Sequence, residues 1–349
     1  TDATDGTADA TDGTADATDG TDGTADATDG TDGVPDLPPE LTWSLLAQNV
    51  NEAFMSVGGT SASDVWAVGA DKGKGPAVVH YDGNTWTRLT TGTRGDLWWV
   101  HAFAGGPVFM AGSSATILKY ENNTFTRRPT HALGRQTVYG IWGSSPTDVY
   151  AVGGFAGREG FIWHYDGATW THLPEPAGLS VTSLGDIPGF FKVWGRSASD
   201  VYVVGGRGTL LHGNATDGFT LVPTGTTEAL FTISGDAAGV SFVGGGSNGV
   251  IFDGTAGVFE KATLDAPPIL QGVSVGPWGA VACGGTGAVY ARATEGDWQE
   301  EDTGLGYAVE SLHGTWMDPE GGVWAVGGGV ISASLDKGAI IYGGAAVKA

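Results

Sequence analysis

A short apolar run closed by glycine occurs seven times in this chain. The copies are Val65-Trp66-Ala67-Val68-Gly69, Val108-Phe109-Met110-Ala111-Gly112, Val149-Tyr150-Ala151-Val152-Gly153 and Val201-Tyr202-Val203-Val204-Gly205, followed by Val240-Ser241-Phe242-Val243-Gly244, Ala280-Val281-Ala282-Cys283-Gly284 and Val323-Trp324-Ala325-Val326-Gly327. Each run is too short for a helix and is filled mostly by β-branched, aromatic and small residues, so each reads as a strand. The fullest copy spans residues 138–171. It contains four such runs, separated by Ser-Ser-Pro-Thr-Asp, a glycine-rich gap and Asp-Gly. Turn residues at those places divide every repeat into four short antiparallel strands.

Four-stranded units at a period of ~40–50 residues predict a β-propeller. The expected fold is therefore all-β, with seven four-stranded antiparallel blades over residues 41–349. The fourth strand carries an aromatic in six copies: Trp86, Phe125, Trp170, Phe219, Phe259 and Trp298. The last repeat ends at Ile340-Ile341-Tyr342 without one. Leu41-Thr42-Trp43-Ser44-Leu45-Leu46 matches a fourth strand that has no first three of its own. Residues 41–46 are thus predicted to complete the last blade and close the ring, which removes an open sheet edge. The single Cys283 occupies a position held by Val or Ala in the other copies and reads as a small core residue.

Residues 1–33 contain only Thr, Asp, Ala and Gly. They hold ten Asp and no basic residue, leaving −13 of the net −23 for the remainder. Such a segment has nothing to bury and is expected to be a solvated, self-repelling linker. Asp carboxylates beside glycine turns also suit a hard cation, and Asp2, Asp5, Asp9, Asp12, Asp16 and Asp19 are the candidate Ca²⁺ ligands. Their spacing does not match the alternating acidic positions of an EF-hand loop. The segment could also dock on a second copy, giving self-association. Residues 34–40 hold three prolines, a stiff spacer. The acidic balance argues against nucleic acid as a partner. No run reaches the ~20 apolar residues of a membrane-spanning helix, and residues 1–33 lack the pattern of a secretory signal.

The copies Ser61-Ala62-Ser63-Asp64-Val65-Trp66-Ala67-Val68-Gly69, Ser144-Ser145-Pro146-Thr147-Asp148-Val149-Tyr150-Ala151-Val152-Gly153 and Ser197-Ala198-Ser199-Asp200-Val201-Tyr202-Val203-Val204-Gly205 resemble blades of secreted bacterial β-propeller proteins, lipoproteins and BNR repeat proteins among them. Tyr81-Asp82-Gly83-Asn84-Thr85-Trp86 and Tyr165-Asp166-Gly167-Ala168-Thr169-Trp170 look like a shortened Asp-box hairpin. The resemblance spans residues 41–343 and implies a location outside the cell or on its outer surface. It is specific for fold rather than for activity. A low-complexity Thr/Asp segment ahead of the propeller resembles the tether of a surface lipoprotein.

Candidate chemistry is sparse. A glycosidase of the sialidase type needs an arginine cluster and a tyrosine nucleophile, and the arginines here form no repeated triad. No nucleophile elbow, phosphate loop or zinc-binding helix motif occurs. Asp64, Asp148 and Asp200 precede second strands, where a short carboxylate accepting backbone N–H groups fixes a tight turn. His80, His164 and His212 recur in third strands, one per blade, too far apart for a shared metal. The innermost strands border the central channel. Beside their apolar anchors Val57, Val100, Ile141, Val193, Ile233, Val273 and Leu312 stand Trp99, His101, Trp142, Lys192, Trp194 and His313, where other blades have Ser or Gly. These six are the candidate ligand-binding residues. Two readings compete: a channel pocket of aromatic faces and donors, or packing, with Trp142 and Trp194 wedged between neighbouring sheets.

The sequence thus predicts a non-enzymatic binding or assembly module with a protein or glycan partner at the cell surface and no cofactor beyond Ca²⁺ at the tail. The alternatives are a carbohydrate-binding lectin, a subunit of an extracellular filament or surface layer, and a glycosidase.

Overall fold

In the computed structural model, residues 40–128, 136–179, 186–236, 239–245, 248–255, 257–294 and 296–344 are described. The chain divides into Thr1–Gly33 and Val34–Ala349, and the described residues belong to the second unit. The six candidate Asp ligands of the first unit lie outside them.

Seven separate four-stranded antiparallel sheets form the fold. Six are built from consecutive strands. The seventh places Leu312–Met317, Val323–Gly327 and Gly338–Gly343 beside Trp43–Val50, which pairs antiparallel with Gly338–Gly343. The ring is therefore closed by the N-terminal strand. That strand is longer than the six residues expected. It continues to Val50 because two irregularities, after Leu45 and after Ala47, keep it in register with Gly338.

The hydrophobic core is not central but lies between neighbouring sheets, as seven clusters. Second-strand residues on both faces of each sheet are buried, which explains their almost continuously apolar runs. The closing strand serves two of these cores. Leu41, Trp43 and Leu45 pack towards the sixth blade, and Leu46, Ala47 and Val50 towards the first. Cys283 is fully buried beside Val281 and Leu312, and burial pushes its thiol pKa up.

The carboxylates before the second strands have partners that differ from the backbone N–H groups expected. Asp64 accepts from His80 Nε2 at 2.8 Å, Trp66 Nε1 at 2.9 Å and Thr60 Oγ1 at 2.5 Å. The His80 hydrogen bond outweighs the opposing effect of burial and holds Asp64 below the usual carboxylate range. Asp148 takes His164 and Ser144, and Asp200 takes His212 and Arg196. Each histidine rests on the aromatic directly across the strand pair, with ring centroids 4.1–4.8 Å apart. The turn-fixing role falls instead to Asp82 and Asp166. Asp82 accepts from the backbone of Asn84 and Thr85, and Asp166 from that of Ala168 and Thr169.

Each inner strand carries one extra residue at the same place. Phe54 pairs with Gly69 but Ser56 with Val68, so Met55 is unmatched. By the same shift, Trp98, Tyr139, Phe191, Phe231, Gln271 and His313 are unmatched in the other six blades. Two residues on the bulged strand then oppose one on its partner, and the side-chain alternation slips by one position. Phe54 and Val57, three apart, consequently share one core. In the last blade Leu312 is the counterpart of Phe54 and Thr315 that of Val57, so Leu312 is not the equivalent anchor expected from the sequence.

Closure by Trp43–Val50 has a measurable consequence. Trp43 stacks against Gly343, where an added Cβ would lie 3.0 Å from its ring, and its Nε1 donates to Glu301. Trp43→Ala is expected to cost about 2–3 kcal/mol, somewhat less than a fully buried Trp. The melting temperature should fall by roughly 3–5 °C in calorimetry, as expected for a domain of about 300 residues; wild-type melting would show that the strand does not close the ring.

Candidate functional site

Two distinct features occupy the central channel, and the bulges produce both. Residues after each bulge, from Ser56 to Gly314 around the ring, face the inner strand of a neighbouring blade. Small ones let the strands approach or bridge them: Ser56 Oγ accepts from Val100 N at 3.3 Å, and Thr232 Oγ1 donates to Gln271 O at 2.6 Å. Further along, Ser234 and Ser274 accept from Val275 N and Met317 N. His101 does the same work with its ring, donating to Gly143 O at 3.2 Å.

Trp142 and Trp194 are wedges. An added Cβ on Gly195 or Gly235 would sit 2.7 Å from the indole of Trp142 or Trp194, so the tryptophan of one blade needs a glycine in the next. Trp316 fills the same role against Gly59 and has no place among the residues singled out from sequence. The wedging tryptophans nevertheless remain half-buried, because they also border open space. Together with Trp99 and His101 they line a chamber of about 230 Å³ around the later halves of the inner strands. Of the six candidate residues, four line this chamber. Lys192 and His313 do not.

The bulge residues themselves form the second feature. His313 and Trp98 have ring centroids 5.8 Å apart, Trp98 and Tyr139 5.3 Å, Tyr139 and Phe191 5.8 Å, and Phe191 and Phe231 5.7 Å. Only side chains directed at the common axis can touch across so many blades. Five of the seven bulge residues thus make a continuous aromatic arc, and Met55 and Gln271 hold the same bulge position in the other two blades. Three of the four contacts are edge-to-face, the favoured geometry for aromatic pairs. The five aromatic members of this collar are half-buried.

Lys192 lies beside the collar. Its Nζ donates to Tyr139 O at 3.1 Å and sits 3.1 Å from the centroid of the Trp99 ring. The side chain is 4% exposed, and burial drives its pKa well below the ordinary lysine value. His313 donates from Nδ1 to Met55 O at 2.6 Å. Its pKa is lowered to about 4, chiefly by burial and also by the nearby Lys192 charge; burial lowers His101 to about 4 as well. Both imidazoles are therefore neutral at pH 7. Trp99 belongs to both features, since it lines the chamber and supports Lys192. A separate surface groove of about 840 Å³ lies by Asp253, Arg292 and Trp298, but there Arg292 and Trp298 already bond to Asp253.

Trp98, Tyr139, Phe191 and Phe231 were not among the residues expected at the channel. Strict alternation from the anchors assigns them to the buried face. The signal that finds them is a second apolar residue three positions before each anchor. Leu97 and Val100, Val138 and Ile141, and Phe190 and Val193 each share one core, which unbroken alternation forbids.

No protein-family model matches the sequence, and no curated protein does. Solved structures do. YCF48 from Cyanidioschyzon merolae is 14% identical with a TM-score of 0.64, over 87% of this chain and 98% of that one. YCF48 bound to D1 peptide is 13% identical with a TM-score of 0.64, over 89% and 100%. The WD40 β-propeller domain of Doa1 is 11% identical with a TM-score of 0.62, over 86% and 96%. At such identities the likeness is one of fold, and it supports a seven-bladed propeller.

Replacing a buried, unpaired ammonium by an apolar side chain of similar length removes a desolvation penalty. Lys192→Met is therefore expected to melt at or above the wild-type temperature in calorimetry. A fall of several degrees would show that the ammonium stabilises the channel.

Proposed function

We propose that the chain is a non-enzymatic binding module that holds an extended segment of a protein partner at its aromatic collar. The observation carrying this reading is the collar itself. Trp98, Tyr139, Phe191 and Phe231 stand half-exposed at the bulges, outside the cores that hold neighbouring blades together. Rigid aromatics with exposed area are the side chains that anchor protein interfaces. Propellers of the same architecture include one solved with a bound peptide. A non-enzymatic role is supported by the partners of His101 and His313: each donates one ring nitrogen to a backbone carbonyl, and among the described residues neither is hydrogen-bonded to a hydroxyl or thiol.

Placement outside the cell or on its outer surface, tethering through the Thr/Asp segment and self-association by that segment belong to the same proposal, on the resemblance of the repeats. A lectin is the second reading, favoured by the tryptophans bordering the chamber.

Panning a random-peptide library against the propeller, with counter-selection on the Trp98→Ser/Phe231→Ser variant, tests the proposal. Enriched peptides should bind the wild type at least roughly tenfold more tightly than the variant, the effect of losing an aromatic anchor. Peptides that bind both equally, or binding confined to a glycan array, would overturn it.

A further inference from the structure

We propose that Lys192 is the countercharge of a ligand-carboxylate site whose entrance is the aromatic collar. This rests on the reading of the collar as a ligand entrance and adds the chemical group that the ligand must carry.

The repeat itself does not call for a lysine. At the equivalent positions of five other blades stand Ser56, Gly140, Thr232, Gly272 and Gly314, and those blades close with small side chains. Lys192 instead crosses from its own inner strand to Tyr139 O and to the face of Trp99, two blades away. An ammonium has three N–H donors, and here one is satisfied by a carbonyl and the charge is met only by a ring face. Among the described residues no carboxylate pairs with it, and burial alone acts on its titration. A buried ammonium without a partner is costly, and long basic side chains are rarely buried unless paired.

The surroundings suit an anion. Among the described residues, the titratable group seen to interact with Lys192 is His313, which is neutral at pH 7, and the Tyr139 contact is through its backbone carbonyl. Among the described residues no Asp or Glu lines the chamber, and none of the seven bulge residues is acidic, although the chain as a whole carries a net charge of −23. The collar offers ring faces for an apolar or aromatic body attached to the carboxylate. A carboxylate on Lys192 forms a charge-assisted hydrogen bond in a water-poor site, the strong kind of such bond.

Two sources share this chemistry, a free arylalkanoic acid and the C-terminal carboxylate of a peptide. Titration calorimetry separates them. The probes are 3-phenylpropionate and its amide, and acetyl-Ala-Ala-Phe with a free or an amidated C-terminus. Each is titrated into wild-type protein and into Lys192→Met, whose fold is checked by its circular dichroism. Saturable binding of either acid, weakened by about tenfold or more in its amide and in Lys192→Met, supports the site. Which acid binds identifies the source. Should Lys192→Met not fold, the acid-against-amide comparison on the wild type decides alone. Equal binding of acid and amide, equal binding by the variant, or no binding of either acid would overturn the proposal. Peptides bound equally in free and amidated form would sink the carboxylate site while leaving peptide binding at the collar intact. Lysine-dependent binding of phenylpropionate alone would do the reverse.

Discussion

One extra residue in each inner strand determines what the centre of this molecule is made of. A β-strand has two faces, and a propeller blade uses both against its neighbours. The innermost strand therefore has no third direction to offer the axis unless its alternation is broken. The bulge breaks it at the same place in all seven blades. It lets Phe54 and Val57 face one core while Met55 leaves the pairing, and the same shift frees Trp98, Tyr139, Phe191, Phe231, Gln271 and His313. Local twist rises at a bulge, which suits strands that converge on an axis.

The rest of the architecture holds those seven strands together. Hydroxyls of Ser56, Ser234 and Ser274 receive backbone N–H groups of the next inner strand, and Trp142, Trp194 and Trp316 need glycines in the following blade. These contacts lie between sheets and not within them, so a blade is incomplete without its neighbours. Closure by Trp43–Val50 follows from the same logic, because an unclosed seventh sheet would leave two inter-blade cores without one wall. The Asp–His–aromatic units of three blades stiffen the outer parts of those sheets. They are absent where the motif residues change: in the seventh blade Asp318 takes Trp324 Nε1 and backbone N–H groups without a histidine.

Blade number, strand count and closure were legible in the sequence because each depends on short, repeated patterns: an apolar run, a glycine and an aromatic at a fixed offset. Trp43 could be assigned to the last blade from its flanking residues alone. The channel was only half legible. Trp99, His101, Trp142, Lys192, Trp194 and His313 stand out where other blades have small residues, but strict alternation hid the other four collar aromatics and misaligned Leu312 with Val57. Pairing register is a property of two strands, and a bulge in one is written only in the spacing of its core residues. Whether a wedge such as Trp194 also borders open space depends on the size of its neighbour, Gly235, on another blade.

The most direct measurement of the central claim is the set of nuclear Overhauser contacts among aromatic rings in protein selectively labelled at Trp, Tyr and Phe. The bulged inner strands predict cross-peaks from Trp98 to Tyr139, from Tyr139 to Phe191 and from Phe191 to Phe231, joining four successive blades. Contacts of these four rings confined to the cores between their own sheets would contradict the bulges, and with them the collar.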